Sequence, residues 1–268
     1  MHVKRQFVIP AIAVAALVAA TPAGAATDAR LTGRFTLKGK ITRAVHVRGE
    51  HKGQRVTRTW RFAPQCGRGV CTKVTLRRQR SAEKVQKLTL ARTKIGTYSG
   101  RGKFYFALRC AGRVYKKGGV ARTKVTVTIT RTRTIQGQPF ATAVKARYSN
   151  PGRANRTPCR GRGLGSDAAR YGGRIVTVPT PPAADFASRK PDPLGTTVDF
   201  SDESARGAGG ARIVRRRWDF GDPSSGAANM ATGTAPSHEF SAHGSYRVTL
   251  TVTDSNGLTS TTTKQVAA

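Results

Sequence analysis

Trp218-Asp219-Phe220-Gly221-Asp222 and, further on, Gly244-Ser245-Tyr246-Arg247-Val248-Thr249-Leu250-Thr251-Val252-Thr253-Asp254 decide the fold of the C-terminal third. In the first stretch Trp218 and Phe220 fall on one side of a strand and Asp219 on the other; Gly221 and Asp222 then turn the chain. In the second, Val248, Leu250 and Val252 alternate with threonines, the period of a half-buried strand. Asn256-Gly257 is a tight hairpin signal, and Thr259 to Val266 reads as the last strand. A buried tryptophan on a middle strand, with Tyr246 two residues before a core position on a later strand, is an immunoglobulin-like arrangement. Val248 stands where an antibody domain has its second cysteine, so aliphatic packing has to join the two sheets.

Taken together, these residues resemble the PKD domain family. Its W-D-F-G-D element matches Trp218, Asp219, Phe220, Gly221 and Asp222, and its H-x-F/Y element matches His238 and Phe240. Its G-x-Y-x-V-x-L-x-V-x-D element matches Gly244, Tyr246, Val248, Leu250, Val252 and Asp254, with Gly257 at the hairpin. The opening strands Ala184-Asp185-Phe186 and Val198-Asp199-Phe200 fit as well, so the resemblance extends over residues 183–268. It implies a β-sandwich, an extracellular setting, and a role in spacing or in protein and carbohydrate contact beside secreted proteases and glycosidases. Pro223 and the long loop to His238 depart from the pattern. The segment Arg206 to Arg217 is often acidic in the family but here holds five arginines and no acid, so the calcium site of some members is not expected. Asp219, Asp222 and Asp254 are expected to accept hydrogen bonds from turn amides, His238 to sit at the core edge, and Tyr246 to be a corner tyrosine.

Charge splits the chain. The 268 residues carry a net +35. Residues 27–178 hold 37 lysines and arginines against four acids (Asp28, Glu50, Glu83, Asp167); residues 179–268 hold nine of each. Pro179, Pro181 and Pro182 mark the change, and clustered prolines favour a semi-rigid connector. The expected organisation is a signal peptide at 1–26, a basic domain at 27–173, a linker at 174–182 and a neutral domain at 183–268. The leader has Lys4 and Arg5, an apolar stretch Phe7 to Ala20 broken by Pro10, and Ala23-Gly24-Ala25 for cleavage. That stretch is short for a membrane anchor, the rival reading. A secreted protein, released or held at the cell surface by non-covalent contacts, is expected.

The basic domain reads as all-β. Val56, Trp60 and Phe62 alternate with polar residues, as do Val74 and Leu76, Val125 to Ile129, and Val144, Ala146 and Tyr148; Phe104, Phe106 and Leu108 share one face. The one candidate helix is 81–88. About seven strands would form a sandwich or a small barrel, and periodicity does not choose between them. Cys66, Cys71, Cys110 and Cys159 point to two disulfides in an exported chain, with Cys66–Cys71 favoured across a glycine-bearing turn and Cys110–Cys159 then following; a zinc site is the rival. Thr57-Arg58-Thr59-Trp60-Arg61-Phe62, then Pro64 and Cys66, are similar to uncharacterised secreted β domains of high-GC bacteria, a resemblance that carries no function.

No catalytic constellation is legible. The basic domain offers Glu50 beside His51, and His46, but no H-E-x-x-H, phosphate loop or G-x-S-x-G. No catalytic residue, metal or cofactor is expected, which leaves binding. Arg77, Arg78, Arg80, Lys116, Lys117, Arg131, Arg133, Lys145 and Arg147, with Arg153, Arg156, Arg160 and Arg162, are read as a basic surface for anionic polymers: teichoic acid, acidic polysaccharide, an anionic membrane surface or, non-specifically, extracellular DNA. Phe104, Tyr105 and Phe106, the one dense aromatic run, are read as core, which ranks nucleic-acid reading below general adhesion. The alternatives are an accessory module of a secreted hydrolase and a small enzyme of unrecognised type.

Overall fold

The computed structural model describes residues 28–47, 49–81, 84–159 and 164–268; the leader, Glu83, Arg160 and Arg162 lie outside them, as does the side chain of Arg80. The basic part is built of β1 (Gly33–Val45), β2 (Arg55–Pro64), β3 (Lys73–Ser81), β4 (Lys84–Lys94), β5 (Thr97–Cys110), β6 (Arg113–Ile135), β7 (Gln138–Asn150), β8 (Arg153–Asn155) and β9 (Ser166–Ile175). The order β5-β4-β3-β2-β1-β9-β7-β6 returns to β5, so eight antiparallel strands close a barrel and β8 rides on β6. Closure settles the choice that period two left open. A barrel and a sandwich share the same alternation along each strand; they differ only in whether the last strand finds the first.

The inward faces carry the apolar residues of the alternation: Phe35, Leu37, Trp60, Phe62, Leu76, Leu90, Val125 and Val127 are all buried. The described residues of the stretch expected as a helix, 81 and 84–88, belong to strands, because Gln86, Leu88 and Leu90 point inward at period two while Val85, Lys87 and Thr89 point out. Strands curve where glycine lets backbones approach. A β-carbon on Gly39 would lie 2.1 Å from the Arg170 carbonyl oxygen, and one on Gly173 would lie 2.2 Å from that of Thr36. Both sit in the β1–β9 seam. The disulfides are Cys66–Cys71 and Cys110–Cys159. The second ties the outer end of the β5–β6 hairpin to the segment after β8.

The C-terminal part is a two-sheet sandwich. One sheet orders β10 (Phe186–Arg189), β11 (Thr197–Asp202) and β14 (Ser237–Glu239); the other orders β13 (Met230–Thr232), β12 (Ile213–Asp219), β15 (Ser245–Asp254) and β16 (Thr259–Ala267). Between them Phe186, Phe200, Trp218, Phe220, Val248, Leu250 and Val252 form one buried cluster. Trp218 packs edge-on against Phe186, with ring centres 5.3 Å apart.

The proline segment, expected as a semi-rigid linker at 174–182, packs against the protein. β9 runs through Ile175, and Pro179 and Pro182 are buried. The Ala208 amide donates to Thr180 Oγ1 at 2.8 Å. A β-carbon on Gly207 would lie 2.0 Å from the Thr180 carbonyl oxygen, so glycine there is what admits the strap. A second tie joins the two parts. Arg30, wholly buried, donates to the carbonyls of Cys66 (2.9 Å), Gly69 (3.2 Å) and Ser255 (2.8 Å) and to Asn256 Oδ1 (3.3 Å). Gln138 Nε2 donates to the Asn256 carbonyl at 2.9 Å, and Gln136 exchanges two hydrogen bonds with the backbone of Thr259. The Asn256-Gly257 hairpin therefore docks on the base of the barrel, against the Cys66–Cys71 loop. Burial weakens the hold of Arg30 on its proton, and the nearby Asp254 opposes that effect.

Candidate functional site

The residues of the W-D-F-G-D element and its companions bond to one another. Asp219 Oδ1 accepts from the Gly221 amide (3.0 Å) and from Asn229 Nδ2 (3.1 Å). Asp222, buried, accepts from the Ser241 hydroxyl (2.7 Å) and amide (2.9 Å), with His238 Nε2 at 3.3 Å. His238 stacks on Phe220 with ring centres 4.2 Å apart, and Phe240 packs on Tyr246. Asp254 Oδ1 accepts from the amides of Asn256 and Leu258, closing the hairpin, and burial holds its carboxyl above the ordinary range. Tyr246 donates to the Ala242 carbonyl four residues back, at 2.8 Å. Gly221 and Gly257 have φ of 70° and 84°, a conformation that favours glycine. Gly244 pairs its backbone with that of Ala268. With their polar atoms engaged in turns, these side chains build a scaffold.

Cations dominate the outer wall of the barrel. Lys40 of β1 lies directly opposite Arg170 of β9, which lies opposite Arg147 of β7. One step along, Lys38 and Lys145 flank Gly172; one step further, Arg174 faces Thr36. All six of these cations are exposed. Like charges directly across a ladder repel. Threonines 126 and 128 of β6 continue the wall, and Arg131 borders it. Among the described residues of the barrel, carboxylates lie within 4.0 Å of three cations only: Arg58, Arg92 and Arg153. Of the cations singled out from the sequence, Lys145, Arg147 and Arg131 come together here. Arg77, Arg133, Lys116 and Lys117 are exposed elsewhere. Lys38, Lys40, Arg170 and Arg174 were missed, although each sits at an outward position of a period-two strand.

Arg78 is not on the surface: it extends the inward face of Val74 and Leu76, is 8% exposed, and lies 4.2 Å over the Tyr148 ring. Nor are Phe104, Tyr105 and Phe106 core. They lie half-buried on the β5–β6 hairpin, which outruns its neighbours, and the guanidinium groups of Arg156 and Arg153 stand 5.4 and 5.9 Å from the Tyr105 and Phe106 rings. Lys103 first, and Arg156 with it, pull the Tyr105 phenol below its usual range.

The inward turn of Arg78 begins a polar layer at the barrel end opposite the sandwich. Arg78 Nε donates to Gln86 Oε1 at 2.7 Å, and Gln86 Nε2 reaches Thr123 at 3.3 Å. Asp167 Oδ1 accepts from Asn150 Nδ2 and from Arg153 Nη2, each at 2.8 Å. Glu50, from the β1–β2 loop, has Arg58 at 3.8 Å. Of these groups Glu50, Arg58, Arg78, Arg153 and Asp167 line a cavity of about 140 Å3, together with Trp60, Tyr171 and Phe104. Burial, and then Asp167, hold the Glu50 carboxyl above its ordinary range; burial pushes Tyr148 up to about 12 and also raises Tyr171. Two of the four acids of the basic part thus converge on one cavity. His46 and His51 do not line it. The scarcity of acids was a signal available in the sequence: a lone Asp167 amid cations has to be held by them.

Residues 179–268 match the family model for the PKD domain. A microbial collagenase of Vibrio alginolyticus is 39% identical over 85 residues, 32% of this chain and 10% of the collagenase, so the chain spans about a tenth of the length of that relative. Among solved structures, the PKD1 domain of Vibrio anguillarum Epp is 32% identical and covers 34% of this chain and 96% of that one, with a TM-score of 0.29. The PKD1 domain of the Vibrio cholerae metalloprotease PrtV is 30% identical, covering 33% and 98%, with a TM-score of 0.28. Among the described residues no helix is long and apolar enough to cross a membrane.

Proposed function

With residues 179–268 a PKD domain, we propose that the chain is a secreted, non-enzymatic adhesion protein. Its cationic barrel associates with anionic polymers of the cell envelope or matrix, and its PKD domain serves as spacer or as a protein or carbohydrate contact. The observation that carries the reading is the row Lys40–Arg170–Arg147, three cations abreast on neighbouring strands and all exposed. Such a row costs folding energy when bare, and a polyanion lying across it offsets that cost. Export is supported by the leader sequence and by two disulfides, which persist in oxidising compartments. The collagenase relative supports a second reading, an accessory module working beside a secreted hydrolase.

Retention of the full chain on immobilised teichoic acid, polygalacturonate, heparin and DNA tests the first reading. A polymer contacting about six of these cations should lose about a thousandfold in affinity between 50 and 200 mM salt. The double variant K145Q/R147Q should flatten the log–log salt slope by about two. If the chain passes every acidic matrix in dilute buffer, the adhesion reading fails. If retention is indifferent to salt, it fails as well.

A further inference from the structure

The barrel-mouth cavity is separate from the outer wall, and its chemistry is different. Its volume, about 140 Å3, is close to the roughly 150 Å3 of a closed apolar cavity that holds benzene, and Glu50 and Arg58 are part exposed on its lining, so a larger ring can seat one face while its substituents project to solvent. Its lining is polar where a hydrocarbon site would be dry, so the ring has to carry hydroxyl groups. Three guanidinium groups, of Arg58, Arg78 and Arg153, face two carboxylates, of Glu50 and Asp167. The excess is positive, which favours a ligand with one negative charge.

Which of these groups are available follows from their partners. Asp167 and Arg153 hold each other at 2.8 Å with only 11% and 14% of their side chains exposed, and Asn150 takes a further lone pair of Asp167. Arg78 is committed to Gln86 and to the face of Tyr148. These are supports. Glu50 and Arg58 are different: they stand 3.8 Å apart, with 29% and 40% of their side chains exposed. They are the pair a ligand can reach and part.

We propose that the barrel mouth binds one carboxylated sugar residue of the uronic acid class. The Arg58 guanidinium fork takes the sugar carboxylate in a charge-assisted contact. Ring hydroxyls donate to Glu50. The apolar face of the ring lies against Phe104, the half-buried aromatic of the lining, with the buried Trp60 and Tyr171 behind the site. The site does not depend on the outer wall, although a terminal uronate of an acidic polysaccharide would let one polymer use both.

The test is titration of galacturonate and of galactose into the full chain at near-physiological ionic strength, read by calorimetry and by tryptophan fluorescence. Both tryptophans are buried, but Trp60 lines the cavity from the barrel core while Trp218 lies in the core of the PKD domain, so a fluorescence change on binding reports the mouth through Trp60. Galacturonate should bind at least about tenfold more tightly than galactose, and R58Q should weaken it by about tenfold or more. Arg58 is 40% exposed at its side chain, so the variant should fold; an unchanged melting point confirms that. The K145Q/R147Q variant should keep galacturonate binding while losing polymer retention. R58Q should do the reverse, which separates failure of this site from failure of the wall. No heat and no fluorescence change up to about 10 mM galacturonate, equal affinity for galactose, or indifference to R58Q would each overturn the assignment.

Discussion

Asp222 accepts from the Ser241 hydroxyl and amide and contacts His238, all within 3.3 Å. The Ser241 hydroxyl, foremost among these contacts, holds its carboxyl below the ordinary aspartate range. The native value is therefore below the unfolded one. The stabilisation is complete above the ordinary range and is lost as pH falls through the depressed native value. Removing the hydroxyl in S241A should lower the melting point of the PKD domain by several degrees at neutral pH. The difference from the parent chain should shrink to nothing as Asp222 protonates. Melting curves collected from neutral to strongly acidic pH check this; a constant difference would mean that Ser241 acts by packing alone. At this scale the sequence was most informative in the PKD domain. The spacing of Trp218, Asp222, His238 and Tyr246 is a local pattern, and each residue bonds within its own turn or to the next strand. Arg78 shows the opposite case. Period two places it inward after Leu76, its charge argues for solvent, and the Tyr148 face together with the Gln86 oxygen on the neighbouring strand makes burial tolerable.

Elements were legible as strands but not as a closed ring, because closure depends on β6 returning to β5 and on backbone approach that no local period encodes. Adjacent glycines in β9 make the point testable. A β-carbon on Gly173 would meet the Thr36 carbonyl oxygen at 2.2 Å, whereas one on Gly172 meets nothing within 4 Å. G173V should cost about 1–3 kcal/mol or more, and G172V close to nothing; urea midpoints of the two variants decide it. The β5–β6 hairpin raises a second issue. β5 pairs with β4 only between Thr97 and Ser99, near the base, and its outer end is held by Cys110–Cys159, a bond spanning 49 residues. Loop-closure entropy gives such a crosslink about 4 kcal/mol. The C110S/C159S variant should lose about that much, and hydrogen exchange should rise first in the outer hairpin rather than at Val125 or Val127. The disulfide pairing itself was readable from the Cys66–Cys71 turn, but the cavity at the barrel mouth was not. Glu50, Arg58, Arg78 and Asp167 come from four separate segments, and barrel closure is what brings them together.

Two properties belong to the molecule as a whole, and both arise from the charge division. The first is the junction. Among the described residues Arg30 is the buried cation that satisfies carbonyls on both sides of it, at Cys66 and Ser255. R30M would leave those acceptors dry and unpaired, costing about 3 kcal/mol or more. Calorimetry should then resolve separate transitions for barrel and sandwich; one sharp transition in R30M would mean that the prolines and Gln136 suffice. The second is self-repulsion. Residues 27–178 carry a net +33 while residues 179–268 carry none. A cationic shell of this kind destabilises the compact barrel, and salt screens it over about 10 Å at 0.1 M. Sodium chloride should therefore slow hydrogen exchange in β1, β7 and β9, where Lys40, Arg147 and Arg170 stand abreast, and leave β12 and β15 nearly unchanged. The same salt weakens retention on an acidic polymer. Stability and adhesion must move in opposite directions along one titration, since the repulsion that the polymer relieves is the repulsion that salt removes. If barrel exchange were unaffected while retention still collapsed, the cations would be too far apart to feel one another. The polymer would then be gaining contacts without relieving strain.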